Sequence, residues 1–180
     1  LSVAENILLG RLPMRDGWAG CVVDWPETFA RAQEVLDSMQ AGLDARTPVS
    51  ELGVARQQIV EIAKAMSFNP AVLMLDEPTS ALAQHETQNL FCLLKTLAAK
   101  GVAIIYITHR LQELPQIADT VTVVRDGRHV GSIPIGEATP QTIARMMFGE
   151  VIQKERPADL RAGTEPVLEV RGLGRRGKLH

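Results

Sequence analysis

The chain has 180 residues, of which 46% are hydrophobic and 22% are charged, and its formal net charge is −2 at pH 7. These proportions are typical of a globular domain, and the charge gives no electrostatic basis for nucleic-acid binding over the whole chain. No apolar run approaches the roughly 18 residues that cross a bilayer, so any work at a membrane would depend on other subunits.

The first fifty residues predict helices. Residues 1–10 have the character of a short helix, and Asp24, two residues before Pro26, predicts the N-cap of a longer one. Apolar residues then recur at steps of three or four and predict one buried helix face: Phe29, Ala32, Leu36, Met39 and Leu43. Gly42 is expected to end this helix.

Two more helices follow, separated by turn residues. The segment after Pro48 leads into a helix with one apolar side, Ile59, Ile62, Ala63 and Met66, and Asn69 with Pro70 ends it. Residues 84–100 predict another, with Gly101 as its stop. Its inward side is expected to be Leu90, Leu93, Leu94 and Leu97.

Two apolar runs each end in polar residues. Residues 72–75 lead directly into Asp76 and Glu77, and residues 102–107 lead into Thr108 and His109. We expect buried parallel strands, apolar on both faces, whose carboxyl ends carry the ligand-binding groups of an open α/β sheet. A metal-binding carboxylate, a water-activating carboxylate and a phosphate-sensing histidine would form a phosphoryl-transfer set. The alternative is that the acidic pair is only a solvated strand end.

The remainder predicts a hairpin and a last helix. A short helix interrupted by Pro115 precedes a strand pair that turns at Asp126 and Gly127, residues that tolerate positive φ. Residues 139–148 predict a helix anchored by Ile143, Met146 and Met147. Residues 151–166 are polar and contain two prolines, so they predict a linker.

Several of these segments resemble ABC-type ATPases. Residues 75–82, LDEPTSAL, resemble the Walker B motif, catalytic glutamate and D-loop, and residues 108–110, THR, resemble the switch-histidine loop. Residues 51–66 resemble the signature segment with its helix. The opening LSVAENILLG and the later VTVVRDGRHVG resemble ATP-binding subunits of bacterial sugar importers of the ribose, galactose and xylose type. The resemblance covers residues 1–150 and resumes near Val167.

This resemblance implies an α/β fold, the C-terminal part of an ABC-type P-loop NTPase domain, with a mostly parallel sheet flanked by helices and a helical subdomain. Residues 1–50 would belong to the helical subdomain, and residues 51–150 would hold the signature helix and the remainder of the catalytic core. Residues 151–166 would be the linker, and residues 167–180 the first strand of a second cassette.

The resemblance also implies roles for particular residues. Asp76 would bind Mg²⁺, Glu77 would polarise the water that attacks ATP, and His109 would contact the γ-phosphate and report its loss. The D-loop between two facing cassettes would be Ser80, Ala81 and Leu82. Ala83 stands where many relatives carry aspartate, which removes one polar contact between cassettes.

The signature is the least similar segment. Its common form is Leu-Ser-Gly-Gly-Gln, whereas this chain has Leu52 followed by Gly53, Val54, Ala55 and Arg56. Only the leucine is kept, so the serine hydroxyl and both glycines are lost. A helix N-terminus near Ala55 and the permanent charge of Arg56 remain to bind an anion. Either this composite site binds ATP and turns over slowly, or the variant is tolerated with full activity.

A phosphate-binding loop is the main element that the sequence does not match. The nearest pattern, Gly172 to Lys178, has suitable glycines and a lysine, but Leu179 stands where a magnesium-binding hydroxyl belongs. We therefore expect a fragment that is inactive by itself, the latter part of one cassette joined to the start of another. The alternative is a degenerate, non-enzymatic remnant or interaction module. Related motifs occur in DNA-repair and chromosome ATPases, but no sustained heptads support that class.

The implied partners follow from the family. They are a second ABC cassette, transmembrane permease subunits and, indirectly, a periplasmic sugar-binding protein, with no nucleic acid. The function would be to couple ATP binding and hydrolysis to sugar import, from a peripheral position at the cytoplasmic face of the inner membrane. Which sugar is carried would be decided by the other subunits.

Overall fold

Six α-helices and four β-strands occupy residues 1–15 and 22–149, the part of the chain that the computed structural model describes. They are α1 (Val3–Ile7), α2 (Trp25–Ser38), α3 (Val54–Met66), β1 (Val72–Asp76), α4 (Gln84–Ala99), β2 (Ala103–Ile107), α5 (Leu114–Ile117), β3 (Thr120–Arg125), β4 (Arg128–Pro134) and α6 (Pro140–Phe148). Short 3-10 turns occupy Val49–Glu51 and Ile135–Glu137. The predicted linker, the predicted strand of a second cassette and the glycine pattern at 172–178 lie outside the described residues.

Capping side chains fix the starts of the first two helices. In α1 the Ser2 hydroxyl accepts from the Glu5 amide, while the Glu5 carboxylate accepts from the Ser2 amide, which satisfies two unpaired donors reciprocally. Asp24 caps α2 by accepting from the Glu27 amide at 3.2 Å, as the sequence predicted. Ala32 and Leu36 on the predicted apolar face are fully buried.

Two details of the helical region differ from the sequence expectations. Helix α2 ends at Ser38 rather than at Gly42, and Gln40 is the first residue after the helix with positive φ, at 56°. Gly42, with φ 61°, belongs to the following loop. In α3 the side chain of Val60 is buried, whereas that of Ile59 is only half-buried, because this helix packs against both α1 and α2.

Strands β1 and β2 pair in parallel, as expected, and Asp76 stands opposite Ile107. The expectation that both faces would be buried is wrong. Leu73 and Leu75 point into the main core, but Met74 is 63% exposed, and Ile105 beside it is 45% exposed. The physical reason is that helices cover one face of this two-stranded sheet and no described element covers the other.

Helix α4 confirms its prediction closely. The four leucines expected to face inward are all buried, and they join the main core cluster with the inner side chains of β1. Gly101 follows the helix with φ 92°, a left-handed conformation that glycine adopts without steric cost. Helix α4 connects β1 to β2 along the chain, and its packing in the core therefore helps to fix where the two strands lie.

A second, smaller core forms around the hairpin. Strands β3 and β4 are antiparallel and turn at Asp126 and Gly127, both with positive φ as predicted. Their buried valines pack with Leu114 and with Ile143 of α6. Pro115 does not interrupt α5, because it occupies the first turn, where a missing amide donor costs nothing.

Within residues 1–15 and 22–149, no helix combines the length and hydropathy that crossing a bilayer would require.

Candidate active site at the carboxyl ends of two strands

The carboxyl ends of β1 and β2 bring two of the predicted residues into contact. Glu77 directly follows β1, and His109 lies two residues after β2. The His109 Nδ1 atom is 2.7 Å from Oε1 of Glu77. An ionised carboxylate can only accept, so Nδ1 carries the proton in this contact. Both side chains are partly open to solvent, which leaves them accessible to a ligand.

The backbone at Glu77 is held in an unusual conformation. Its φ is 45°, in the left-handed region that side-chain-bearing residues seldom adopt. Its amide donates to the carbonyl of Ile107 at 2.9 Å, which extends the strand pairing by one residue. Such conformations cost about 1–3 kcal/mol and persist where surrounding contacts over-determine them. Here the turn directs the Glu77 side chain toward His109 instead of continuing the strand.

Asp76, the predicted metal ligand, lies on the solvent-exposed face of β1. Its carboxylate makes no hydrogen bond to any residue within the described ranges, and a shallow groove beside it is lined by Gln58 and Glu61 of α3. Mg²⁺ in phosphate-transfer sites is held by one or two carboxylates together with substrate phosphates and water. A free carboxylate of this kind fits one such position. Among the described residues no group of three or more His, Cys, Asp or Glu side chains could hold a metal ion by itself.

The predicted D-loop segment is hydrogen-bonded to residues that follow both strands. The Ser80 amide donates to the Glu77 carbonyl at 3.1 Å, and the Ser80 carbonyl accepts from the Arg110 guanidinium at 3.2 Å. Ala81 is exposed and Leu82 packs against the main core. The segment after β1 is therefore connected to the segment after β2 through main-chain as well as side-chain groups.

A buried carboxylate that sequence reasoning missed lies behind this pair. Glu113 is 5% exposed, and it accepts hydrogen bonds from the Thr79 hydroxyl at 2.9 Å and from the Tyr106 hydroxyl at 2.7 Å. The Arg110 guanidinium lies 3.6 Å from it. Burial chiefly, and the neighbouring carboxylate in addition, raise the pKa of Tyr106 above its ordinary value. A tyrosine within an otherwise apolar strand was the sequence signal for this cluster.

The four predicted signature residues lie at the start of α3. Gly53 is the N-cap residue of α3 without a side-chain cap, and Val54 and Arg56 are exposed, with Ala55 half-buried. No hydrogen bond or salt bridge among the described residues joins this segment to Glu77 or His109. The helix N-terminus expected near Ala55 is present, one residue earlier at Val54. The Gln57 side chain anchors the preceding turn by donating to the Leu52 carbonyl at 2.9 Å.

Known structures and sequences similar to this chain agree on one family. A nucleotide-free ATP-binding cassette from an ABC transporter matches with a TM-score of 0.62 at 22% identity, over 74% of this chain and 55% of that chain. CbiO1 from Clostridium perfringens, part of the ABC transporter complex CbiONQ, matches with a TM-score of 0.63 at 24% identity, over 79% and 55%. A family model described as ABC transporter matches residues 1–80. Each of these three matches is to an ABC transporter protein or family.

Two relatives with higher identity are named as sugar-import proteins. A Burkholderia cenocepacia protein, whose provisional name is ribose/galactose/methyl galactoside import ATP-binding protein 2, is 47% identical over 97% of this chain and 34% of its own length. The ribose import ATP-binding protein RbsA 1 of Rubrobacter xylanophilus is 45% identical over 99% and 35%. The chain thus spans about a third of the length of the curated relatives it matches.

Proposed function

We propose that this chain is part of an ATP-binding cassette subunit that couples ATP binding and hydrolysis to the import of a sugar. The single observation that carries the proposal is the contact between Glu77 and His109 at 2.7 Å, beside Asp76, at the carboxyl ends of two parallel strands. Ligands of open α/β sheets bind at such strand ends. The names of the relatives, which are import ATP-binding proteins for ribose and related sugars, favour sugar as the transported class.

Glu77 would act as the general base. Its carboxylate is accessible and is oriented by the His109 Nδ1–H, so it can accept a proton from a water molecule on its open side. A well-placed general base contributes about 10²–10⁴-fold in rate. The left-handed turn at Glu77 would hold that orientation before ATP arrives, which avoids reorganisation during the reaction.

His109 would contact the terminal phosphate through its other ring nitrogen. Because Nδ1 is engaged with Glu77, Nε2 is the atom that remains to face a ligand. Loss of the γ-phosphate would remove that contact and change the environment of the Glu77–His109 pair. The same ring would thus orient the base and report hydrolysis.

Asp76 would hold Mg²⁺ from the exposed end of β1. When bound, the ion neutralises phosphate charge. Asp76 is free of competing hydrogen bonds in the described residues and would accept this position without rearrangement. Asp76 would supply one ligand of the ion, and phosphate oxygens of the nucleotide would supply further ligands.

The signature segment and the D-loop would act across two cassettes. Among the described residues, no hydrogen bond or salt bridge joins the Glu77–His109 pair to the signature residues, as expected if these contact ATP bound to a facing cassette. The signature residues are Gly53, Val54, Ala55 and Arg56. Ser80, Ala81 and Leu82 would lie between the cassettes. The remaining partners would be permease subunits and, indirectly, a periplasmic sugar-binding protein, with the subunit peripheral at the cytoplasmic face of the inner membrane.

A non-enzymatic role is the second candidate, and the signature favours it. Gly53 supplies no hydroxyl, and Ala55 replaces a glycine that would let the backbone approach phosphate. Positioning and charge stabilisation account for nearly all phosphoryl-transfer catalysis. We therefore expect the 180 residues alone, whose sequence includes no match to a phosphate-binding loop, to show negligible ATPase activity.

The test is an ATPase assay on the protein that contains this chain, together with the chain alone. Glu77→Gln keeps the size of the side chain but removes the base, so kcat should fall about 10²–10⁴-fold. Gln88→Ala, an exposed change on α4 away from the strand ends, is the matched control and should leave kcat unchanged. An unchanged rate in Glu77→Gln would contradict the assigned role. Substantial turnover by the chain alone would contradict its expected inactivity.

A further inference from the structure

A single buried carboxylate connects the two segments that carry Glu77 and His109. Glu113 precedes α5, and both of its oxygens lie within 3.1 Å of the Thr79 hydroxyl. Its Oε2 atom also accepts from Tyr106 at 2.7 Å. A buried charge is tolerated when it is paired and hydrogen-bonded. These donors, with Arg110 nearby, satisfy that requirement.

The donors come from both sides of the proposed active pair. Thr79 lies two residues after Glu77 in the segment that follows β1. Tyr106 lies three residues before His109, near the end of β2, and Arg110 directly follows His109. Because Thr79 and Tyr106 converge on one carboxylate, any displacement of one segment relative to the other would break at least one of these hydrogen bonds.

The contact between Glu77 and His109 is itself too weak to fix the two segments. The side chains of Glu77 and His109 are 46% and 65% exposed, and an exposed ion pair usually contributes no more than about 1 kcal/mol. Such a contact does not by itself offset the left-handed conformation of Glu77, which costs about 1–3 kcal/mol. Other contacts must therefore help to hold the two segments in register. The Glu77 amide and the Ser80 carbonyl supply two of them, and the hydrogen bonds to Glu113 are the buried ones.

We propose that Glu113 is a positioning residue that sets the separation of Glu77 and His109 by fastening the segment after β1 to the segment after β2. Within the described residues it makes no hydrogen bond or ion pair with either side chain. It acts instead through its hydroxyl donors Thr79, Tyr106 and Thr108, with Arg110 nearby. The inference rests on the proposed function only in that the pair it positions is the proposed catalytic pair.

The first arm of the test measures the pair directly in this chain. The ring-nitrogen resonances of His109 are recorded by long-range ¹H–¹⁵N nuclear magnetic resonance and assigned by their loss in His109→Asn. Glu77→Gln supplies the reference for a weakened contact. Glu113→Gln keeps the side-chain volume, but one hydroxyl donor then faces the amide NH₂ group, which cannot accept a hydrogen bond. We expect it to move the His109 resonances toward the Glu77→Gln values, with His85 and His129 unchanged.

Two further variants guard against trivial explanations. Tyr106→Phe removes the 2.7 Å donor with little change in shape, and it should give a smaller shift in the same direction even where Glu113→Gln folds poorly. Gln116→Ala removes an exposed hydrogen bond between α5 and Gln88 without touching the carboxylate, so it should leave His109 unchanged.

The outcomes separate positioning from general stabilisation. A shift of His109 in Glu77→Gln but not in Glu113→Gln or Tyr106→Phe would overturn the proposal. An equal shift in Gln116→Ala would also overturn it, because any loosening of α5 would then suffice. No shift even in Glu77→Gln would mean that the pair is not formed, and Glu113 would have nothing to position.

The second arm uses ATPase kinetics of the intact protein. Since Glu113 is buried and hydrogen-bonded within the protein, Glu113→Gln should lower kcat and leave KM unchanged. The loss should be between about 10-fold and 10²-fold, because a misplacement of about 1 Å can cost 10²-fold. A raised KM with an unchanged kcat would contradict positioning. An unmodified protein without ATPase activity would defeat the proposed function, while the resonance measurement would still decide the role of Glu113.

Discussion

The strand-end segments and the turn that enters α3 are both proposed to meet nucleotide, yet they are held in different ways. The strand ends are joined by side-chain hydrogen bonds, through the Glu77–His109 contact and the contacts with Glu113. Among the described residues, the turn before α3 is held by backbone hydrogen bonds and by the Gln57 side chain, and Gly53 caps the helix without a side chain.

This difference indicates which region is preorganised. Strand ends joined by hydrogen bonds can hold a base and a phosphate-contacting group in place before substrate binds. Such preorganisation is the main source of electrostatic catalysis. The turn before α3 presents backbone amides and an exposed arginine, which attract an anion without fixing its position. The chemistry is therefore expected to depend sharply on the strand ends and weakly on the turn.

The largest effect on stability should follow from removing a donor to the buried carboxylate. Thr79→Val preserves shape but deletes the hydroxyl that contacts both oxygens of Glu113. Leaving a buried acceptor short of a partner costs about 1–3 kcal/mol. Urea unfolding should show this loss. In a double-mutant cycle with Glu113→Gln, the double variant should be destabilised by less than the sum of the two single variants. Full additivity would show that the two groups do not interact.

A high-pH loss of stability should also originate in the strand-end cluster. The pKa of Tyr106 is raised in the folded state, so the unfolded chain ionises first. The associated stability is fully present below the ordinary tyrosine pKa of about 10, and it is lost as pH rises from there toward the folded value. Because the chain has a single tyrosine, tyrosinate absorbance reports Tyr106 alone. Tyr106→Phe should lack this part of the pH dependence, and an identical profile in the two proteins would contradict the assignment.

The smallest effect should follow from changing the turn before α3. Gly53→Ser adds a side chain where no atom of the described residues lies within 4 Å of the new Cβ, so no clash is expected with them. Serine at an N-cap exceeds glycine by only a few tenths of a kcal/mol, measurable as a small rise in the urea midpoint. If slow turnover is due to the missing hydroxyl, the ATPase rate of the intact protein should also rise. No gain in rate would favour the alternative that this signature variant is fully active.

Local patterns in the sequence were sufficient for most of the elements. Asp24 before Pro26 gave the start of α2, the leucines of α4 gave its buried side, and Asp126 with Gly127 gave the hairpin turn. Each depends on residues within a few positions of one another. The exposed outer face of β1 and β2 could not be predicted in this way, because burial depends on which other elements cover a sheet.

The sequence by itself determined that two acidic residues and a histidine would lie at strand ends, since hydrophobic runs and the polar residues that follow them are local properties. Only the tertiary structure decided that Glu77 and His109 touch, because their separation depends on the pairing of β1 with β2 and on a left-handed turn. It alone also revealed Glu113 beneath them. Its partners Thr79 and Tyr106 are far apart in the chain, and a carboxylate becomes a buried junction only when the fold brings donors to it.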